Sequence, residues 1–326
     1  MNNPYFPLHS LPENEILHVL RNMEIYDQIA YSICSAKSGE KVRSLKLKVD
    51  LISLIVLFDI RIEVRLFDNT SLLFSFPKLN VDSHSNIHLE RYEGEDLERR
   101  KLEDLWNTEA IDKNKLISHL CKVLNRPCAD KIYYCDPTIP PKSISTLVQG
   151  QEVKILSIMP VRPQHRIRAT LKTLRYSSVL RIFSVPFEKN EYTKWMSILM
   201  QNLDIFSFLS DDPTPIDDVL ISNSQEFTTR CLFTSKQLNR FLKLWMVGSN
   251  RRFEYFSCKI TGDSDGLLKG IEFERVPMDS TKVYKSKLVD LPIQEIPIKG
   301  GFQITRNDGT KAVVSIRTGK FDFVLF

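Results

Sequence analysis

Short apolar runs of strand character alternate with helix-compatible segments through the middle of the chain, and this alternation limits the folds available to it. The first four runs begin at Lys131, Val153, Val179 and Leu203, so they start at nearly even intervals. Such spacing is typical of leucine-rich-repeat-like units, which bury their apolar faces only by stacking. The asparagine ladder of a regular repeat is missing, so we predict an irregular repeat core. The predicted strands are Lys131–Cys135, Val153–Ile158, Val179–Ser184, Leu203–Phe208, Val219–Ser222 and Phe253–Lys259.

The segments between several of these strands have helical character. They are rich in good helix formers and carry apolar residues three and four positions apart. We predict helices within residues 165–177, 190–201 and 234–246. Residues 211–215 (DDPTP) form a predicted loop, and the repeat spacing ends there.

The N-terminal segment, residues 1–48, follows helical periodicity. Pro12 can occupy a first helical turn, where its missing N–H has no intrahelical partner in any case. A second short helix is predicted near Asp27, Gly39 interrupts the pattern, and Val42 indicates a third helix. The apolar positions on one face of the first helix are Ile16, Leu17, Leu20 and Met23.

Two regions of the chain change to a period of two. Residues 60–66 alternate apolar and charged side chains, and Asp68-Asn69 is a turn signal before a second run that ends at Phe76. The tail repeats this pattern around the turn at residues 307–309 (NDG). Both regions predict β-hairpins.

The stretch between the first hairpin and the repeat core is the least regular part of the chain. Residues 77–100 are polar and charged, which predicts a loop. Leu102, Leu105 and Trp106 indicate a helical stretch, and a second helix is predicted over residues 116–124.

Bulk composition places the chain among ordinary globular proteins. The 45 basic residues are nearly balanced by 40 acidic ones, which argues against a dedicated nucleic-acid binder. The most apolar run, residues 51–58, is far shorter than the roughly 20 residues needed to cross a bilayer. We therefore expect neither nucleic acid nor membrane as a partner. The N-terminus lacks the pattern of a secretory signal, and we expect a cytoplasmic or nuclear protein with free thiols.

Motifs for catalysis and cofactor binding are missing from the sequence. The six cysteines form no C-x-x-C pair, and His84 and His88 lack the glutamate of a zinc-protease helix. The chain contains no G-x-S-x-G elbow and no glycine-rich phosphate loop. We expect no catalytic residue, no metal site and no cofactor.

The charged clusters of the sequence have an ordinary explanation. Asp217-Asp218 lies beside prolines, which predicts a solvated loop. The basic clusters at residues 37–48 and 162–175 could bind an anionic partner, and the simpler interpretation is the polar face of a solvated helix.

Two parts of the sequence resemble a known family. Residues 6–48 resemble the F-box of the large nematode F-box families through Phe6-Pro7-Leu8, Leu11-Pro12, the first helix and residues 32–37. The segments NRFLKLWMVGSNRRFEYFSC and RNDGTKAVV look like the type 2 F-box-associated domain of these families. Gln28 and Ala36 depart from the F-box pattern, where the family prefers an aliphatic residue and a lysine.

The resemblance implies a substrate-recognition subunit of an SCF-type cullin-RING ubiquitin ligase. The F-box would bind a Skp-type adaptor, which connects to the cullin scaffold, and the remainder would bind a protein substrate whose identity the sequence does not reveal. Such a subunit has no catalytic activity of its own. The residues implied for adaptor contact are Pro7, Leu8, Leu11, Pro12, Ile16, Leu17 and Leu20.

The combined prediction is a mixed α/β or α+β chain. A small helical F-box at residues 1–50 precedes a substrate-binding domain at residues 51–326, which contains the leucine-rich-repeat-like core over about 101–275 and a C-terminal β region over about 276–326. β-Hairpins flank the repeat core. The alternative is a non-catalytic repeat-type interaction module with no connection to ubiquitin.

Overall fold

The structure is a computed structural model that describes residues 10–68, 70–76, 87–93, 100–108, 113–160, 164–187, 191–210, 214–261, 264–287 and 295–326. The chain divides into two compact units. The first contains Met1–Ile132 and Thr138–Gln151, and the second contains Tyr133–Pro137 and Glu152–Phe326. The predicted functional division at residue 50 stays a prediction.

Short helices make up one part of the first unit. They are α1 (Glu13–Arg21), α2 (Ile25–Ile33), α3 (Ala36–Ser44), α4 (Lys113–Val123) and α5 (Pro141–Leu147). Ile16, Leu20 and Val42 from α1 and α3 form a buried cluster with Val123 of α4. The N-terminal helices therefore share their core with a helix that comes much later in the sequence, and they do not form a separate helical bundle.

Gly39 allows α3 to approach its neighbours closely. A Cβ atom at this position would lie 3.1 Å from the His119 ring on α4 and 3.3 Å from the carbonyl oxygen of Ser32 on α2. The His119 Nε2 lies 3.0 Å from the Ser32 hydroxyl at the same place. Gly39 thus lies inside α3 at a tight helix contact, and the prediction that it interrupts the helical pattern was wrong.

The other part of the first unit is an antiparallel meander. Its strands are β1 (Leu51–Val56), β2 (Ile60–Arg65), β3 (Thr70–Phe76), β4 (Ile87–Glu93) and β5 (Arg100–Thr108), each paired with the next. The pairing of Ile62 with Phe74 confirms the predicted first hairpin. Two predictions fail here. Part of the predicted loop is β4, and the stretch around Leu102 that was predicted to be helical is β5.

The second unit alternates strands with short helices before it ends in a run of strands. The helices are α6 (His165–Thr173), α7 (Tyr192–Leu199), α8 (Ile216–Ile221), α9 (Ser235–Met246) and α10 (Ser264–Leu267). The strands are β6 (Lys131–Tyr134, which the division of the chain crosses), β7 (Val153–Ile158), β8 (Tyr176–Ile182), β9 (Ile205–Phe208), β10 (Glu226–Thr234), β11 (Tyr255–Thr261), β12 (Glu274–Lys285), β13 (Glu295–Thr305), β14 (Lys311–Arg317) and β15 (Lys320–Leu325).

The strand order of this unit shows that the predicted fold class was wrong. Strands β7 to β11 are parallel neighbours in chain order. Beyond β11 the sheet continues through β15, β14, β13 and β12, and these four strands are antiparallel to their neighbours. The unit is therefore a large mixed sheet and not a leucine-rich-repeat-like solenoid flanked by hairpins.

Several local predictions in this unit are confirmed, and two are wrong. The expected helices over residues 165–177, 190–201 and 234–246 appear as α6, α7 and α9, and the tail turn joins β13 to β14. The predicted strand at Val219–Ser222 is instead mostly helix α8. Strand β10 was not predicted at all.

Helix α9 shows how local sequence positions the core of the second unit. Thr234 and Gln237 form a reciprocal capping box that satisfies free N–H groups at its start. One face is apolar and buried at Leu238, Phe241, Leu242 and Trp245. The Phe241 ring packs edge-on against Phe256 of β11 and Phe323 of β15. This aromatic contact buries α9 against two adjacent strands of the sheet.

We predict that Gly301→Ala destabilises the protein by about 3 kcal/mol or more, because two effects add. Gly301 has φ +129°, and its added Cβ would lie 2.3 Å from the carbonyl oxygen of Val314 on β14. Gly309→Ala is the matched control, because Gly309 also has positive φ (+88°) and a Cβ there would meet nothing within 4 Å. The control should cost about 1–2 kcal/mol. Urea unfolding followed by tryptophan fluorescence measures both, and equal losses would contradict the close strand contact.

Candidate protein-binding surfaces

The residues predicted to contact an adaptor separate into an inner and an outer set on α1. Ile16 and Leu20 are almost fully buried in the core that α1 shares with α3 and α4, and Leu11 packs partly against the same core. Pro12 is exposed at the start of α1, and Leu17 is half-buried on another side of the helix. Among the described positions, Pro12 and Leu17 are therefore the two that lie outside this core, with Pro12 exposed and Leu17 partly exposed. Pro7 and Leu8 lie outside the described residues.

Gln28, one of the departures from the F-box pattern, has a clear structural role. Its side chain is buried, and its Nε2 donates hydrogen bonds of 2.8 Å to the carbonyl oxygens of Leu20 and Met23. Carbonyl groups at the end of a helix lack intrahelical donors. Gln28 therefore closes the end of α1, which an aliphatic residue at this position could not do.

A buried carboxylate connects α7 and α8 in the second unit. Asp218 accepts a hydrogen bond from the Tyr192 hydroxyl at 2.6 Å and one from the Trp195 Nε1 at 2.8 Å. Burial raises the pKa of this carboxyl group, and the two donors act in the opposite direction. The sequence had placed Asp217-Asp218 in a solvated loop. Asp218 instead joins two helices, and the signal that could have revealed it is its position within an apolar helical run.

A second buried carboxylate connects β10 with the end of β12. The Oε1 of Glu226 accepts hydrogen bonds from the Tyr284 hydroxyl at 3.1 Å and from the Lys287 backbone N–H at 2.6 Å. Its Oε2 accepts one from the Ser286 hydroxyl at 2.6 Å. Burial raises the pKa of Glu226, partly offset by these donors. Because both of its carboxylate oxygens accept hydrogen bonds, Glu226 connects strands that lie far apart in sequence.

The same region carries a solvent-facing surface on its strands. Side chains of β10 alternate beyond Thr229, so that Arg230 and Leu232 are exposed while Cys231 and Phe233 are buried. Leu232 is 59% exposed and pairs in register with Lys259 of β11, which is also exposed. Leu232 is therefore an exposed aliphatic side chain beside two cationic residues, Arg230 and Lys259.

Burial shifts the pKa values of two cysteines and one histidine of the described residues, Cys121, Cys135 and His119. Burial raises the pKa of Cys121 and of Cys135 to about 12, so both thiols are protonated at neutral pH. A thiolate is the form that attacks substrates or binds metals. His119 has its pKa lowered by burial and interacts with Ser32. No group of three or more His, Cys, Asp or Glu in the described part of the chain has the geometry of a metal site.

The helices are also unsuited to crossing a membrane. Every helix in the described ranges is too short or too polar to span a bilayer.

Comparison with known proteins identifies one segment. A protein-family model described as F-box associated matches residues 195–258, which run from Trp195 in α7 to Cys258 in β11. The match includes the predicted segment NRFLKLWMVGSNRRFEYFSC and supports an F-box-associated domain there. The F-box at the N-terminus and the nematode origin stay predictions. No curated protein and no solved structure matches the chain.

We predict that Glu226→Gln changes how stability depends on pH. Because the folded protein holds the Glu226 proton more tightly than the unfolded chain, ionisation of Glu226 opposes folding. The stability of the wild type relative to Glu226→Gln should therefore fall as pH rises through and above the usual pKa of 4.5. Urea unfolding of both proteins between about pH 4 and 7 measures this difference. If the stability of the wild type relative to Glu226→Gln instead rises with pH, hydrogen bonding to the carboxylate outweighs the cost of its burial.

Proposed function

We propose that this chain is a substrate-recognition subunit of an SCF-type cullin-RING ubiquitin ligase. The observation that carries the proposal is the match of residues 195–258 to the F-box-associated family. The F-box-like pattern of residues 6–48 supports it, because an adaptor-binding module and a substrate-binding domain in one chain are the two parts that such a subunit needs.

The proposed activity is recruitment without chemistry by the chain itself. A subunit that holds a substrate beside a ubiquitin-charged enzyme turns a bimolecular encounter into an effectively intramolecular one. The high pKa values of Cys121 and Cys135 agree with structural roles for these thiols. The chain would act in the cytoplasm, the nucleus or both, where cullin scaffolds and their adaptors are expected.

The adaptor surface would be the outward side of α1. Pro12 and Leu17 would contact the Skp-type adaptor, together with Pro7 and Leu8. Ile16, Leu20 and Leu11 would support this surface from inside the core, where they pack in the structure. Of the seven predicted contact residues, four would then contact the adaptor, and the other three would support them from the core.

The substrate surface would lie on the F-box-associated segment. Leu232 and Arg230 on β10 lie within this segment and form an exposed patch with Lys259 of β11, which directly follows the segment. The buried carboxylates Asp218 and Glu226 hold the surrounding helices and strands in place. A rigid support of this kind limits the conformational entropy that is lost when a partner binds.

We expect the wild-type chain to co-purify with a Skp-type adaptor, and Leu17→Asp to weaken the complex about ten- to a hundredfold. Part of this loss is the apolar area of Leu17 that the complex would bury, and the rest is the cost of placing a charge in an apolar contact. His18→Asp is the matched control, because His18 is the next residue of α1, is exposed and would receive the same charge. Titration by surface plasmon resonance gives the affinities, and circular dichroism checks that both variants fold.

Two results would count against the proposal. No complex with the wild-type chain would remove the ligase assignment and leave an interaction module unconnected to ubiquitin. Equal weakening by Leu17→Asp and His18→Asp would show that charge on α1, and not an apolar contact at Leu17, controls the complex.

A further inference from the structure

A cleft lined by cationic side chains crosses the first unit at the end of α4. Two adjoining cavities of about 490 and 590 Å³ share Asn125 and Arg126 as lining residues. We call the two together the basic cleft. The cations that line it are Arg43, Lys46, Lys48, Lys122 and Arg126, and neither cavity has an acidic residue among the described residues that line it.

The charges of the basic cleft are only partly neutralised by the chain itself. Lys122 pairs with Glu40 at 2.5 Å, and Arg126 lies 3.6 Å from Asp130. Lys46 and Lys48 are exposed and form no ion pair with any residue that the structure describes. The cleft therefore has an excess of positive charge, which attracts an anionic ligand.

An apolar floor lies beside these cations. Val49 and Leu124 are buried, Leu47 is half-buried, and Phe67 in the turn between β2 and β3 is 69% exposed. An aromatic side chain with this exposure contributes little to the stability of the unit. An apolar group of a ligand bound in the cleft could pack against this ring.

The backbone beside the cleft favours a peptide as the occupant. Residues 46–49 connect α3 to β1 without regular secondary structure. Neither Leu47 nor Lys48 makes a backbone hydrogen bond to another described residue. The Lys46 N–H donates to the Arg43 carbonyl and the Val49 carbonyl accepts from Arg126, so the main-chain groups that could pair with an added peptide are those of Leu47 and Lys48. A nucleic acid could not use these groups in the same regular way.

We propose that the basic cleft binds an extended acidic protein segment. Carboxylates two residues apart would pair with Lys46 and Lys48, and an aliphatic or aromatic side chain between them would contact Phe67 and Leu47. The basic stretch over residues 37–48, first explained as a solvated helix face, thereby gains a role. The proposal does not rest on the ligase assignment, because it concerns the first unit alone and needs no adaptor.

The test is a binding titration with the full-length chain and fluorescent probes of defined sequence. The main probe is a twelve-residue peptide with alternating glutamates around one central leucine. The comparison probes are the same peptide with glutamine for glutamate and a single-stranded RNA of twelve nucleotides. We expect saturable binding of the acidic peptide, at least about tenfold weaker binding of the neutral peptide, and weaker binding as salt rises.

Variants locate the bound peptide. Lys46→Glu with Lys48→Glu should weaken binding about tenfold or more, and Phe67→Ala should weaken it severalfold. The matched control is Lys172→Glu with Lys236→Glu, because these lysines are also exposed, receive the same charge change and lie outside the cleft. Circular dichroism checks the fold of each variant. The control should bind like the wild type.

Three results would overturn the proposal. The first is no saturable binding of the acidic peptide at millimolar concentration. The second is equal loss in the cleft variant and the control variant, which would indicate a general effect of net charge. The third is RNA binding that is tighter than peptide binding and depends on Lys46 and Lys48. Because no adaptor is present, each result is independent of the co-purification experiment.

Discussion

The packing of Val123 against Ile16, Leu20 and Val42 is the contact that joins the N-terminal helices α1 and α3 to α4. Three helices of nine residues each are too short to be stable alone in water, so their stability has to come from tertiary packing. Helix α4 supplies that packing, and the close approach at Gly39 brings its His119 against α2 and α3. Helix α4 packs against the inner side of α1, while Pro12 and Leu17 lie on its outward side.

Buried carboxylates in the second unit and exposed lysines in the first unit have different roles. In the second unit, the carboxylates of Asp218 and Glu226 are buried and satisfied by hydrogen bonds, so they join elements of the unit to one another. In the first unit, Lys46 and Lys48 are exposed beside an apolar floor. The saturated groups belong to the architecture, and the exposed cations are available to a partner.

Some local elements of this chain were predictable from sequence, while β4, β5, β10 and α8 and the arrangement of the strands were not. Helix α9 follows from its capping residues and its apolar spacing, and β7 has the predicted bounds. The fold class failed because evenly spaced strands occur both in leucine-rich repeats and in any run of parallel strands joined by short helices. Strand β11 pairs with β15, the last strand of the chain, and such a pairing between residues far apart in sequence is not visible in local patterns. The prediction of the adaptor-contact residues had the same limitation. Helical periodicity identifies an apolar face of α1, but it does not show that this face packs on Val123.

Hydrogen exchange on the full chain with Val123→Ala tests most directly whether the N-terminal helices depend on α4. We expect the loss of about 2 kcal/mol of packing to raise exchange rates about thirtyfold in α1 and α3 as well as in α4, because the three helices share one core. Val247→Ala, which truncates a valine that is 65% exposed in the second unit, should leave these rates unchanged. Faster exchange confined to α4 would contradict a shared core and would show that residues 10–48 form an independent helical domain.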